Sequence, residues 1–268
     1  FFYGIIYKNL YKNFYYRGEI NMVEICCGSF YDALMAYKGG AKRIELNSSL
    51  NLGGLTPSIG TLEIVKEKCN GIKIVSMVRP RGAGFCYCDE DFYVMERDCK
   101  ELLKNGSDGI VFGCLNSDFT LDIYKNEKLI DLIHQYNGEA VFHRAFDCVQ
   151  NPYETIEKLI DMGVDRILTS GLKEKAYDGR FLIKELQQKY GDDIEILAGS
   201  GINSNNAKEI MEFTGISQVH SSCKEWICDN TTKSENVSYS FGVGEYEMCY
   251  DAVSEKLVSE LLKSLGEF

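Results

Sequence analysis

The sequence predicts an α/β protein folded as a single (β/α)8 TIM barrel. Three observations point there. From Met22 onward, short apolar, β-branched runs alternate with longer amphipathic segments, the pattern of parallel strands joined by crossover helices. The repeats follow one another without an intervening linker, and the whole chain holds only 3 prolines. Residues 22–268 also come close to the roughly 250 residues typical of one such barrel.

The strands are predicted at VEICC (23–27), RIELN (43–47), KIVSMVR (73–79), GIVFG (109–113), AVFHR (140–144), RILTS (166–170), EILAG (195–199) and QVHSS (218–222). Helical stretches such as SFYDALMAYKGG, SIGTLEIVKEKC, EDFYVMERDCKELLKNG and NPYETIEKLIDMG lie between them, and several end in Gly, which helix C-termini favour. After the eighth strand, KEWICDNTTKSENVSYSFGVGEYEMCY is longer than most connections and is expected to be a lid or an interface loop. DAVSEKLVSELLKSL then reads as an eighth helix, or as a helix packed against a partner subunit. Residues 1–21, rich in Tyr, Phe, Lys and Asn, are expected to be an N-terminal extension outside the fold, leaving 22–268 as the barrel domain. They have neither the apolar stretch of a signal peptide nor the roughly 20 uninterrupted apolar residues of a membrane span.

Composition narrows the partners. A net charge of −11 repels a phosphate backbone, so nucleic acid is not expected. The 11 cysteines are odd in number and lack framework spacing, which predicts reduced thiols in the cytoplasm rather than a disulfide scaffold.

In a barrel of this type the active site lies at the C-terminal ends of the strands. Strand alternation sends Val23, Ile25 and Cys27 toward the helices and Glu24 and Cys26 inward; likewise Arg43, Glu45 and Asn47 share the inner face of the second strand. Glu24, the deepest, needs a charged partner and reads as part of an internal ion network. Glu45, with His143 at the end of the fifth strand, is the candidate base and acid of a catalytic site. Arg79, Arg81 and Arg144 are candidate anion contacts at the mouth. The turn Gly199–Ser200–Gly201 and the pair Ser221–Ser222 follow strands seven and eight, where backbone N–H groups suit a phosphate or carboxylate. No lysine stands at an inward strand end, which disfavours Schiff-base chemistry.

Metal is the competing possibility. Cys26, Cys27, Cys86, Cys88, Cys114, Cys148, Cys223 and His220 fall at or just beyond strand ends, and soft thiolates select Cu(I) or zinc. Buried cysteine is also common core filler, and no paired CxxC spacing is present.

Six ordered motifs, VEICCGSFYDALMAYKGGAKRIEL, GGLTPSIGTL, VRPRGAGFCYCDED, FHRAFD, RILTSG and LAGSGI with VHSS, together resemble the CutC family, named for copper homeostasis, from Met22 to about Cys223. The resemblance implies a (β/α)8 barrel, cytoplasmic, copper-binding and often dimeric, so a homodimer is expected. It implies Cys26 as the copper thiol. Asn47 stands where the pattern has its second cysteine, and Cys88 where it usually has Ser. No reaction is assigned by the resemblance. Two functions therefore stand side by side: copper handling, with Cu(I) at Cys26 and with Cys27, His220 and Cys223 as further ligands, and an isomerase or lyase acting on a small anionic metabolite, phosphorylated ones among the candidates.

Overall fold

The structure, a computed structural model, describes residues 21–240 and 242–266. Eight parallel strands close into a barrel: β1 (Met22–Cys27), β2 (Arg43–Leu46), β3 (Lys73–Met77), β4 (Gly109–Phe112), β5 (Glu139–Phe142), β6 (Arg166–Thr169), β7 (Glu195–Gly199) and β8 (Gln218–Ser221), with β8 pairing back onto β1. Eight described helices alternate with or follow them: α1 (Phe30–Lys38), α2 (Ile59–Lys68), α3 (Asp89–Lys104), α4 (Ile123–Gln135), α5 (Pro152–Met162), α6 (Ala176–Tyr190), α7 (Ala207–Thr214) and α8 (Glu255–Ser264). Local chemistry sets the ends. Ser29, Ser58 and Asn151 cap α1, α2 and α5 by accepting the N–H of Asp32, Thr61 and Glu154, and Gly163 closes α5 at φ 87°, a conformation a Cβ would strain.

Alternation along each strand separates two cores. Outward residues such as Val23, Ile25, Cys27, Ile44, Leu46, Ile110, Phe112 and Val219 join the helices in one large apolar layer. Inside the barrel Val75, Met77, Val111 and Val141 form a small apolar cluster. A network of buried charges lies beside it. Arg166, 1% exposed, reaches Glu195 and Glu139 at 3.0 Å each and Glu24 at 3.8 Å. Arg43 Nε lies 2.6 Å from Glu24, and its other end donates to Gln218 at 2.7 Å, while Lys73 pairs with Glu139. Buried charge is tolerable here because each carboxylate faces a guanidinium or ammonium group.

The segment after β8, expected as a lid or an interface loop, contains a two-stranded antiparallel ribbon that the sequence reading did not identify, β9 (Lys224–Cys228) and β10 (Cys249–Val253), with Cys249 opposite Cys228. Most β9 side chains are exposed, so no apolar alternation announces the strand. The ribbon is anchored to the barrel: Val253 N donates to Asp32 at 2.8 Å and Ser254 N to Cys223 O at 2.9 Å. Because Asp251 to Val253 belong to β10, the last helix starts only at Glu255. It crosses α1 closely at Gly39, where a Cβ would lie 2.7 Å from Val258. Of the expected N-terminal extension, residues 1–21, all but the last lie outside the described residues; that last one, Asn21, donates to Leu265 O at 3.3 Å. Among the described residues no helix is long and apolar enough to cross a membrane.

Candidate metal centre

Barrel closure makes β8, β1 and β2 consecutive neighbours, and their register sets Cys26 beside Glu45 and Glu24 beside His220. The thiol of Cys26, the carboxylate of Glu45 and the His220 ring each offer a ligand atom within 4.8 Å of the others. Cys26 Sγ lies 3.8 Å from Glu45 Oε1 and 3.6 Å from Asn47 Nδ2. Asn47 Nδ2 also donates to Glu45 Oε1 at 2.8 Å, orienting that carboxylate. Glu45 Oε2 is buried and has no hydrogen-bond partner among the described residues. Behind the cluster, Glu24 holds His220 Nδ1 at 2.9 Å, which leaves Nε2 as the ring nitrogen free to bind.

The electrostatics suit a cation. Burial raises the Glu45 carboxyl pKa and the Cys26 thiol pKa. Burial works against a charged His220, but Glu45, Cys26 and Glu24 outweigh it and lift the imidazole pKa well above its ordinary value. At Glu24 burial is again overcome, by Arg43, His220 and Arg166, and its carboxyl is driven far below the usual range. The acidic groups around His220 thus favour positive charge at its ring.

Several predicted residues lie elsewhere. Cys27 points into the helix-facing core, with its pKa raised far by burial, and is not part of the cluster. Cys223 is buried on the same side, its Sγ 3.4 Å from Ser221 Oγ. Arg79 is not open at the mouth: it is buried, and its guanidinium donates to Leu52 O at 2.7 Å, Gly54 O at 3.1 Å and Ala83 O. Arg81 is spent on Asp91 at 2.8 Å and Cys86 O at 2.7 Å, so the loop after β3 is tied down rather than free. Arg144 clamps β5 to β6 through Asp147 at 2.7 Å and Ser170 at 2.8 Å. All three arginines bind their own chain.

The turn after β7 has positive φ at Ser200 (82°) and Gly201 (74°), but Ser200 Oγ donates to Glu174 O at 2.6 Å and Ser221 Oγ to Ile202 O at 2.7 Å. Gly199 packs tightly, since a Cβ there would meet Leu168 at 2.6 Å, and Ser222 is half-buried beyond β8. His143 is buried on β5's end, and β5 is not a neighbour of β2. Its Nδ1 accepts the N–H of Ala145 at 3.1 Å, and burial, with Arg79 nearby, lowers its pKa to about 3. A ring that stays neutral at pH 7 is a poor proton donor to pair with Glu45.

The sequence reading missed the Arg166 hub and its partners Glu139 and Glu195. A signal was present: Arg43, Lys73, Glu139, Arg166, Glu195 and Gln218 each open a strand, so all enter the barrel from its N-terminal end.

The sequence profile of the CutC family matches residues 21–225. The chain belongs to the CutC family. A "family protein CutC" of Treponema denticola is 42% identical over 245 residues, covering 91% of this chain and 98% of that protein. One from Bacteroides fragilis is 34% identical over 248 residues, covering 91% and 97%. The crystal structure of CutC from Streptococcus agalactiae, whose name refers to copper homeostasis, matches with a TM-score of 0.71 at 31% identity, over 76% of this chain and 99% of that one. KGPDC from Streptococcus mutans matches with a TM-score of 0.58 at 9% identity, over 92% and 98%, a likeness of fold alone.

Proposed function

We propose that this CutC-family chain handles copper by holding Cu(I) at Cys26 and His220, with Glu45 completing the site. The observation that carries this reading is the convergence of three ligand atoms within 4.8 Å around a buried carboxylate oxygen that lacks a partner. Thiolate and imidazole are soft or borderline donors suited to Cu(I), and a single thiolate with a carboxylate also accommodates zinc. Asn47, in the place of a second thiol, supports the geometry by orienting Glu45 rather than by supplying a soft ligand. Cys27 and Cys223 take no part. Reduced thiols suit a cytoplasmic protein, and the family suggests a homodimer.

Anaerobic titration of Cu(I) against a competing chelator tests the proposal. Cys26→Ala is expected to abolish stoichiometric binding, while Cys27→Ala and Cys223→Ala leave it intact. Unchanged affinity in Cys26→Ala would remove this site. The second reading, an isomerase or lyase acting on a small anion, rests on the positive-φ turn at Ser200 and Gly201. Its arginines are engaged internally, which makes it the weaker of the two. Inorganic phosphate perturbing the amide resonances of residues 199–201 and 222 would favour it.

A further inference from the structure

We infer that Cys228 and Cys249 form a redox dithiol, a modification site at which a peroxide or a small disulfide such as oxidised glutathione joins them in an intrachain disulfide. The pair lies outside the metal cluster and owes nothing to the copper reading. Cys249 is directly opposite Cys228 in the β9–β10 ladder. Asp229 N donates to Met248 O at 2.8 Å, and paired rows alternate along an antiparallel ladder, so Cys228 and Cys249 occupy a non-hydrogen-bonded row. In such rows facing side chains stand closest. Their sulfurs are 2.8 Å apart, against about 2.05 Å for a disulfide bond, so closure needs side-chain adjustment and no strand movement.

The two thiols have different roles. Cys228 is exposed and Cys249 buried, so an oxidant meets Cys228 first. The hydrogen bond between the two thiols, with burial, raises the Cys249 pKa, so of the two sulfurs the inner one holds its proton more tightly. With hydrogen peroxide, the Cys228 thiolate attacks one oxygen, the O–O bond breaks, and a sulfenic acid and a hydroxide result; the hydroxide takes up the proton Cys228 lost on ionising and becomes one water. Cys249 sulfur then attacks the sulfenic sulfur; the S–O bond breaks and the departing hydroxide takes the Cys249 proton as a second water. With oxidised glutathione, Cys228 displaces one glutathione thiolate and Cys249 displaces the other. Either way the two thiols lose two electrons and the oxidant gains them. The product staples the ribbon that runs on from β8 and encloses residues 229–248. In a reducing compartment such a disulfide is a reversible, sensing one.

The full-length reduced chain, equilibrated in glutathione buffers of increasing oxidised fraction and then alkylated, provides the test. A peptide linked through Cys228 and Cys249 is expected, with loss of two of the 11 thiols and full recovery on adding dithiothreitol. Cys249→Ser is expected to stop at a glutathione adduct on Cys228. Cys228→Ser, a change at an exposed side chain, is expected to leave Cys249 unoxidised and alkylatable once the chain is unfolded. The inference fails if both cysteines of the wild type remain separately alkylated while exposed Cys86, Cys88 and Cys148 are oxidised. It also fails if wild-type Cys228 accumulates only as the glutathione adduct.

Discussion

Glu24 and His220 are bound to each other, carboxylate to Nδ1 at 2.9 Å, and His220 in turn stands beside Cys26 and Glu45. A carboxylate on one imidazole nitrogen orients the other and raises its basicity, which is how metal-binding histidines are commonly held. Glu24→Gln is therefore expected to weaken Cu(I) binding by about 10- to 100-fold. The same substitution leaves Arg43 with an amide partner and should also destabilise the fold, by about 3–5 kcal/mol. Competition titration and urea unfolding read the two effects separately. Lost stability with unchanged copper affinity would confine Glu24 to the ion network.

Asn47 offers a gain-of-function test. Its amide lies 3.6 Å from Cys26 Sγ, so a thiol at this position would face Cys26 directly. Asn47→Cys is expected to tighten Cu(I) binding by at least about tenfold, or 1.4 kcal/mol, since a second thiolate is the softer ligand. The Asn47→Cys, Cys26→Ala double variant should lose that gain. An affinity equal to wild type in the single variant would show that Cu(I) does not sit between these strands.

Copper binding should depend steeply on pH. The raised pKa of His220 means the metal-free ring carries its proton to higher pH than an ordinary histidine, and Cys26, also raised, keeps its own. The metal must displace both, so affinity is expected to rise from about pH 6 to about pH 8, by about tenfold per pH unit for each proton released. A flat profile over that range in competition titrations would argue against His220 and Cys26 as ligands.

The barrel was legible because alternation of apolar residues marks strands locally; Ile25, Ile44 and Ile110 declare their outward faces without tertiary information. The site was legible only in part. Cys26, Glu45 and His220 each stood out at a strand end, but their meeting depends on β8 pairing with β1, a contact between chain ends that no local pattern carries. The arginines were hidden for a related reason. Arg79 and Arg81 look like free cations in the sequence, yet carbonyls of the loop after β2 close on Arg79 and one from the loop after β3 on Arg81. The ribbon escaped notice because its stability comes from pairing and from anchors such as Asp32, distant in sequence.

Arg166 is the hub of the barrel interior, facing Glu24, Glu139 and Glu195. Arg166→Met fills similar space but leaves three carboxylates without their shared cation. Denaturant unfolding at pH 7 is expected to show a loss of about 3–5 kcal/mol. Neutral or increased stability would mean that Arg43 and Lys73 suffice to hold those carboxylates.

Acid should destabilise the fold in two stages. His143 has a folded pKa near 3, below its ordinary value of 6.5, so the native state keeps it neutral. Its contribution is complete above the unfolded pKa and is lost as pH falls from there toward the folded one, at up to about 1.4 kcal/mol per pH unit. Glu24 and Glu195, both lowered, act likewise, but only as pH drops below an unfolded carboxylate value of about 4.3. Asn at position 143 can still accept the Ala145 N–H and does not titrate. His143→Asn is therefore expected to be less stable than wild type at pH 7, yet to lose less stability than wild type between about pH 6.5 and about pH 4.5. Chemical denaturation across that range measures both slopes, and parallel curves would show that His143 is already protonated in the folded chain.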